Sequence, residues 1–310
     1  RIGWYSKQVT GDTNSGANEG YDGLDASTAT WSGSSLNFPM VQGADVCGQI
    51  VAVGAGVDES RIGERVIVRS MQQNHETNAP FDCVTFGCEY NGGFAQYTCA
   101  VSIEAYAVNS AWSDAELASI PCAYSTAENM LHRAQLKQGE TVLITGASGG
   151  VGSAAVQLAK RRGAHVIAVA GAAKHEEVKA LGADKLISRG ANLVEAVGLD
   201  TVDLVVDLVV GPDFGQLLDV LRRGARYVTA GAIAGPIVAL DVRTLYLKDL
   251  TFFGATFQDE VVFSNLIRYI EANEIKPVVA KTYPLAQIHQ AQTDFLSKRF
   301  TGKLVLLPEA

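Results

Sequence analysis

Thr141-Val-Leu-Ile-Thr-Gly-Ala-Ser-Gly-Gly-Val-Gly-Ser-Ala-Ala-Val-Gln-Leu-Ala-Lys160 decides the fold. A short apolar run ends in a glycine-rich turn, after which small and aliphatic residues recur at helical spacing: strand, turn, helix. Read as Ala147-x-Gly149-x-x-Gly152, the turn has the spacing of a dinucleotide-phosphate fingerprint. The small Ala147 permits a tight turn, Gly149 lets backbone approach a pyrophosphate, and Gly152 lets helix and strand pack closely. The helix start that follows Ser148, at Gly150 and Val151, then offers free N–H groups and a partial positive charge to the phosphates. An ordinary glycine-rich turn is the plainer alternative. Against it stands a second apolar run at His165–Ala170, where a βαβ unit needs its next strand.

The rhythm extends outward from there. Short apolar runs at Thr141–Thr145, His165–Ala170, Lys185–Ile187, Asp203–Val209, Ala225–Thr229 and Leu250–Phe253 are mostly separated by helical segments such as Ser153–Arg162 and Lys174–Leu181. Repeated strand–helix units predict an α/β fold with a doubly wound parallel sheet, because parallel strands need crossovers. Ser113-Asp-Ala-Glu116 has the form of a helix capping box and marks where this rhythm begins. Before it, residues 1–37 are rich in Gly, Ser, Thr, Asn and Asp and predict surface loop, whereas Gln49–Val53, Arg65–Val68 and Phe94–Val101 predict small antiparallel strands. After it, residues 260–310 predict a helix, a turn at Pro277, a second helix over Pro284–Ser297 and a final strand at Lys303–Leu307. The expected organisation is thus a β-rich domain over residues 1–112, a dinucleotide-binding domain over 113–257, and a return to the first domain over 258–310.

Composition narrows the function. With 310 residues, two domains are the better expectation, and 47% hydrophobic against 19% charged residues with no bilayer-length apolar run predicts a globular protein outside the membrane. A net charge of −8 with scattered basic residues argues against nucleic acid as a partner. Five cysteines are an odd number in a chain too large to need disulfides, which fits a cytoplasmic location.

The end of the second strand sets cofactor choice. NAD-specific folds usually carry a carboxylate about 20 residues beyond the turn, but here the segment reads Val169-Ala-Gly-Ala-Ala-Lys174. A carboxylate would repel the additional phosphate of NADP, whereas Lys174, beside Gly171, could pair with it. The alternative for Lys174 is a solvated lysine at a helix start.

Taken together, the sequence resembles the medium-chain dehydrogenases/reductases, and within them the zinc-independent quinone oxidoreductase or zeta-crystallin-like branch. The resemblance rests on Gly43-Ala-Asp-Val-Cys-Gly48, Ile50-Val-Ala-Val-Gly54, Ile62-Gly-Glu-Arg-Val66, Gly92-Gly-Phe-Ala-Gln-Tyr97, Gly146-Ala-Ser-Gly-Gly-Val-Gly152 and Thr301-Gly-Lys-Leu-Val305, in that order. It implies a partly barrel-like, GroES-like catalytic domain folded from both chain ends, with the Rossmann domain inserted. It further implies NADPH as cofactor, with Lys174 and Arg189 near its 2′-phosphate and Thr126, Gly231, Ala232 and the stretch ending at Phe257 beside the nicotinamide. Packing at strand ends is the plainer alternative for each of these. In relatives the segment resembling Arg1-Ile-Gly-Trp-Tyr5 lies inside the catalytic domain, so the resemblance implies that further chain precedes it.

Zinc-dependent relatives carry a Gly-His-Glu motif. Here it reads Gly43-Ala44-Asp45, and Cys122 with Asp45 are the two ligand-type residues that survive, so the expectation is no metal site. Cys83 and Cys88 replace the four-cysteine lobe of such relatives and read as ordinary thiols. Without a metal, hydride transfer to a conjugated carbonyl, a quinone or enone, is the easier chemistry. Tyr5 by resemblance, and Tyr124 as a nearby alternative, are the candidate proton donors, with lining of the cleft as the alternative for both. A zinc-type alcohol dehydrogenase and a non-catalytic NADPH-binding structural or RNA-binding protein are the rival functions. Finally, the apolar run Leu250-Thr-Phe-Phe-Gly-Ala255 should form a sheet edge, and in relatives such a strand pairs with its two-fold mate, which implies a homodimer.

Overall fold

A computed structural model describes residues 39–77 and 79–309. The described residues divide into two compact units, one of residues 39–125 with 257–309 and the other of residues 126–256. The division falls inside a helix, later than the Ser113 cap at which the sequence pattern changes.

The first unit is built from short strands. β1 (Cys47–Gln49) pairs antiparallel with β2 (Arg65–Val68), which pairs in turn with β5 (Ala105–Ala107), while β3 (Met71–Gln73) and β4 (Cys83–Thr85) form a separate hairpin. Helix α1 (Asp114–Ala118) starts in the predicted capping box: the Ser113 hydroxyl accepts from Glu116 N, and the Glu116 side chain accepts from Ser113 N. Helix α2 (Pro121–Arg133) leaves this unit and enters the next.

In the second unit the βαβ pattern is realised along its whole length. The strands are β6 (Thr141–Ile144), β7 (His165–Ala170), β8 (Lys185–Ser188), β9 (Val202–Asp207), β10 (Leu221–Thr229) and β11 (Thr251–Gly254). Between and beside them run α3 (Gly150–Arg161), α4 (His175–Ala180), α5 (Leu193–Val197), α6 (Phe214–Val220) and α7 (Val242–Leu247). All ladders are parallel, in the order β11-β10-β9-β6-β7-β8. Strand order therefore reverses between β6 and β9, the switch point at which open α/β sheets bind ligands beyond their carboxyl ends. Val142, Leu143, Ile144, Val166, Leu204, Val205 and Val206 are all buried, as strands covered on both faces require. At the far side β11 is an edge, with Phe252 partly exposed and its ring 5.1 Å from that of Tyr227.

The chain then returns to the first unit through α8 (Glu260–Glu271), β12 (Val279–Pro284), α9 (Ile288–Leu296) and β13 (Lys303–Leu307), with β12 and β13 parallel to each other. Three sequence expectations need correction. Residues 94–101 form bends without a ladder, with Tyr97 exposed, and residues 50–53 lie outside β1. Strand β12 was not expected, because its residues 280–282 are exposed and partly polar and give no apolar run. Among the described residues no helix is long and apolar enough to cross a membrane.

Candidate functional site

The carboxyl ends of the parallel strands collect most of the sequence-predicted residues. Beyond β6 the turn bends sharply: Gly146 has φ 60°, and a Cβ on Gly152 would stand 2.2 Å from the Gly146 carbonyl oxygen, so only glycine lets α3 start this close to the strand. Gly149 caps α3 with no side chain bonding the helix N–H groups, which leaves them for an anionic ligand. Ala147 and Ser148 are buried under this turn, and the Ala147 amide donates to Val169 O of β7 at 3.1 Å, fixing the turn to the neighbouring strand.

One strand further along, β7 ends at Ala170 and Gly171 leads into a short 3-10 turn holding Lys174. The Arg189 amide donates to Ala170 O at 2.9 Å, which brings the end of β8 beside the end of β7. Lys174 is half-buried there, and its pKa is pushed below the usual lysine value by that burial and by the like charge of Arg189, against an opposing pull from Glu177. Lys174 and Arg189 thus act on each other as like charges, with no acid in residues 169–174 and Glu177 as the opposing carboxylate. On the other side of the switch point, Gly231 and Ala232 are half-buried just after β10. Thr126 is half-buried in α2.

Beside the fingerprint turn lies a group that the sequence reading missed. Asp207, at the end of β9, is fully buried. Its Oδ1 accepts from Thr145 Oγ1 at 2.6 Å and from the Val209 and Val210 amides at 3.0 Å each, and its Oδ2 accepts from the Tyr227 hydroxyl at 2.7 Å. Burial and the facing carboxylate drive the Tyr227 phenol far above its ordinary pKa, so it remains a donor. A charged residue inside Val202–Val210 was the available signal, since a buried carboxylate persists only with partners of this kind.

In the first unit the two tyrosine candidates part company. Tyr5 lies outside the described residues. Tyr124 is 1% exposed, and its hydroxyl donates to the Lys276 carbonyl at 2.5 Å. It is a core residue whose polar end is engaged by backbone, which corrects its expected role as proton donor or cleft lining. Phe257 packs edge-on to Phe81, centroids 5.6 Å apart, and Phe81 stands exposed at a backbone φ of 63°. The surviving ligand-type pair is also engaged: Asp45 Oδ1 accepts from the Cys122 amide at 2.6 Å and its Oδ2 pairs with Lys303 Nζ at 2.8 Å. An ammonium group on that carboxylate competes directly with any cation. Among the described residues no cluster of three or more His, Cys, Asp or Glu side chains has metal-binding geometry. Cys47 is a half-buried thiol whose pKa is pushed up to about 12 by burial and by Asp114, so it is not a ready nucleophile.

The alcohol dehydrogenase GroES-like domain profile matches residues 17–109, and the zinc-binding dehydrogenase profile matches residues 150–272. An acryloyl-coenzyme A reductase of Metallosphaera sedula is 30% identical over 282 residues, which cover 87% of this chain and 84% of that protein. The chain belongs to the medium-chain dehydrogenase/reductase superfamily. A quinone oxidoreductase of Sus scrofa, another relative, is 29% identical over 283 residues, covering 87% of this chain and 80% of its own. A solved protein of Sinorhizobium meliloti 1021, provisionally assigned as an alcohol dehydrogenase, is 48% identical with a TM-score of 0.87, covering 95% of this chain and 83% of that one. The family fold accounts for both units: a GroES-like domain made of two stretches of chain, and a six-stranded parallel sheet between them. Its homologues make the chain an oxidoreductase of this type.

Proposed function

We propose that this reductase uses NADPH to reduce a conjugated carbonyl substrate, a quinone or an enone, without zinc. The observation that carries the cofactor choice is the Lys174–Arg189 pair at the ends of β7 and β8, with no carboxylate in residues 169–174. The fit to a dinucleotide is local and steric: the Gly146–Gly152 approach leaves room for backbone alone, and the uncapped start of α3 faces that turn. Gly149, Gly150, Val151 and Gly152 would hold the pyrophosphate, Lys174 and Arg189 the 2′-phosphate, and Gly231, Ala232, Thr126 and Phe257 the nicotinamide end. When bound, the cofactor supplies the hydride; the chain's own residues bind, orient and exclude water. The names of the two relatives, an acryloyl-coenzyme A reductase and a quinone oxidoreductase, support a conjugated carbonyl acceptor. Tyr5 is the remaining candidate for hydrogen bonding the substrate oxygen.

Titrating the native protein with NADPH and NADH tests the cofactor reading: NADPH should bind at least about tenfold tighter, one charge-assisted contact being worth that much. Equal or tighter NADH binding defeats it. A zinc-type alcohol dehydrogenase is the second reading, favoured by the profile over residues 150–272 and by the Sinorhizobium protein. The Asp45–Lys303 pair weighs against it. Elemental analysis decides: tightly held, near-stoichiometric zinc whose removal abolishes activity would replace the first reading with the second.

We further infer a homodimer that joins two β11 strands into one sheet, supported by β11 being an edge strand among the described residues and by its exposed Phe252. Phe252→Lys should give monomers by light scattering. A native protein that is monomeric at micromolar concentration would rule the dimer out.

A further inference from the structure

We propose that Asp207 is a positioning residue that holds the nicotinamide half of the cofactor site in shape, acting through the loops that follow β6, β9 and β10. The inference rests on the dinucleotide reading above and goes beyond it by naming the group that sets the site's geometry. Asp207 sits where strand order reverses, between β9 and β6, and its carboxylate joins three elements at once. Through Thr145 it holds the residue immediately before Gly146 and the fingerprint turn. Through the Val209 and Val210 amides it holds the loop after β9, and through the Tyr227 hydroxyl it holds β10 just before Gly231 and Ala232. Thr145 Oγ1 adds a return bond, accepting from Leu208 N at 2.9 Å.

The loop so held does not adopt its shape by default. Val210 is β-branched and buried, yet it has φ 59° and ψ −145°, a conformation that such a side chain avoids. Next to it Gly211 has φ 75°, and a Cβ there would meet Ala234 at 2.9 Å, while the Ala234 amide donates to Val209 O at 2.9 Å. The β9 and β10 loops are thus locked face to face. Val209 also bounds the fingerprint turn, since a Cβ on Gly146 would meet its Cγ2 at 3.1 Å. A strained backbone beside a proposed ligand site needs a fixed restraint, and the two amide bonds to Asp207 Oδ1 are that restraint. The adenosine end, at Gly171, Lys174 and Arg189, lies beyond β7 and β8, which make no hydrogen bond to Asp207. An ordinary role as a buried strand-end residue would make Asp207 matter for stability alone.

The two roles separate in binding. Adenosine 2′-monophosphate, which lacks the 5′-phosphate that the Gly146–Gly152 turn would hold, reports on the Lys174–Arg189 end alone, and NADPH reports on both ends. In the full chain, Asp207→Asn should weaken NADPH by about tenfold or more, because one acceptor oxygen becomes a donor amide facing its donors, and lower kcat for NADPH oxidation with 1,4-benzoquinone. Affinity for adenosine 2′-monophosphate should stay within about twofold, because its contacts lie away from Asp207. Should Asp207→Asn fail to fold, Tyr227→Phe keeps the ring and deletes one bond, and it should show the same selectivity at about threefold. Parallel weakening of both ligands, or no change in either, overturns the proposal. If the native protein binds NADH instead of NADPH, the 2′-phosphate reading fails, and adenosine against NADH reads the same contrast for Asp207. Native protein that binds no nicotinamide dinucleotide overturns both.

Discussion

The two units solve the same problem, burying a core, in opposite ways. Residues 126–256 repeat one local unit, a strand followed by a covering helix, so that each strand finds its neighbour through a short crossover. Residues 39–125 with 257–309 use strands of three to six residues in separate small sheets and tie them with polar groups. The buried Arg69–Glu104 pair, at 3% and 2% side-chain exposure with Nε and Oε2 2.6 Å apart, is the clearest example, and His75 adds a 3.0 Å contact to the same carboxylate. Repetition spreads the stability of the first architecture over many apolar contacts, whereas the second leans more on single pairs such as Arg69–Glu104.

Breaking the comparison begins with that pair. Arg69→Met should cost about 3–5 kcal/mol, because it strands a buried carboxylate, and denaturant unfolding should show the loss in a transition that NADPH does not protect. If the loss is below about 1 kcal/mol, the polar tie is dispensable and the contrast between units is weaker than drawn. Next in size is Gly152→Val in the repetitive unit. Its side chain must collide with Gly146, and overpacking of about 1–3 kcal/mol at the phosphate turn should reduce NADPH affinity by up to about 100-fold in a fluorescence titration. The far-UV spectrum should be unchanged.

Such effects bear on what the sequence could reveal. All six strands of the parallel sheet were legible: the inner strands β7, β6, β9 and β10 are apolar runs largely buried on both faces, and the more exposed edge strands β8 and β11 are short runs ended by glycine. The Ser113 capping box was legible because its chemistry is local. What escaped was non-local. Gln72 is buried in β3 and Lys281 is exposed in β12, so neither strand carries an apolar signal, and both are defined by their partners. Residues 94–101 carry an apolar pattern, yet among the described residues they form no ladder. Within the candidate site, the glycines and Lys174 stood out through spacing. Asp207 and Lys303 did not, because their meaning lies in the side chains they meet from 20 to 258 residues away.

Three further tests sharpen the contrast. Lys174→Ala should weaken NADPH by about 1.5–3 kcal/mol and leave NADH nearly untouched, since it removes one charge-assisted contact; an equal loss for both cofactors would place Lys174 elsewhere. The pH dependence has a definite sign. A lysine pKa lowered in the free protein means that NADPH preference should fade on the alkaline side first, as Lys174 loses its proton, and Arg189 should retain part of it. Smallest of all, Ser113→Ala should cost about 1 kcal/mol by loss of the cap on α1. A thermal-melt shift of a few degrees, with cofactor affinity unchanged, would confine that cap to structure.

The ion pair between Lys303 and Asp45 also carries a message about the order of events when the chain is made. The two residues stand 258 positions apart, and β13, which contains Lys303, is needed before β12 has a partner. A ribosome will therefore have delivered every strand of the parallel sheet while the β-rich unit still lacks its last pieces. The inserted unit can fold during synthesis on local contacts alone, whereas the unit that surrounds it in sequence must wait. Once the sheet has formed, it brings the two distant stretches of chain within reach of each other, shortening the loop whose closure would otherwise cost entropy. The inserted unit is thus complete before the unit that surrounds it in sequence has its last strand.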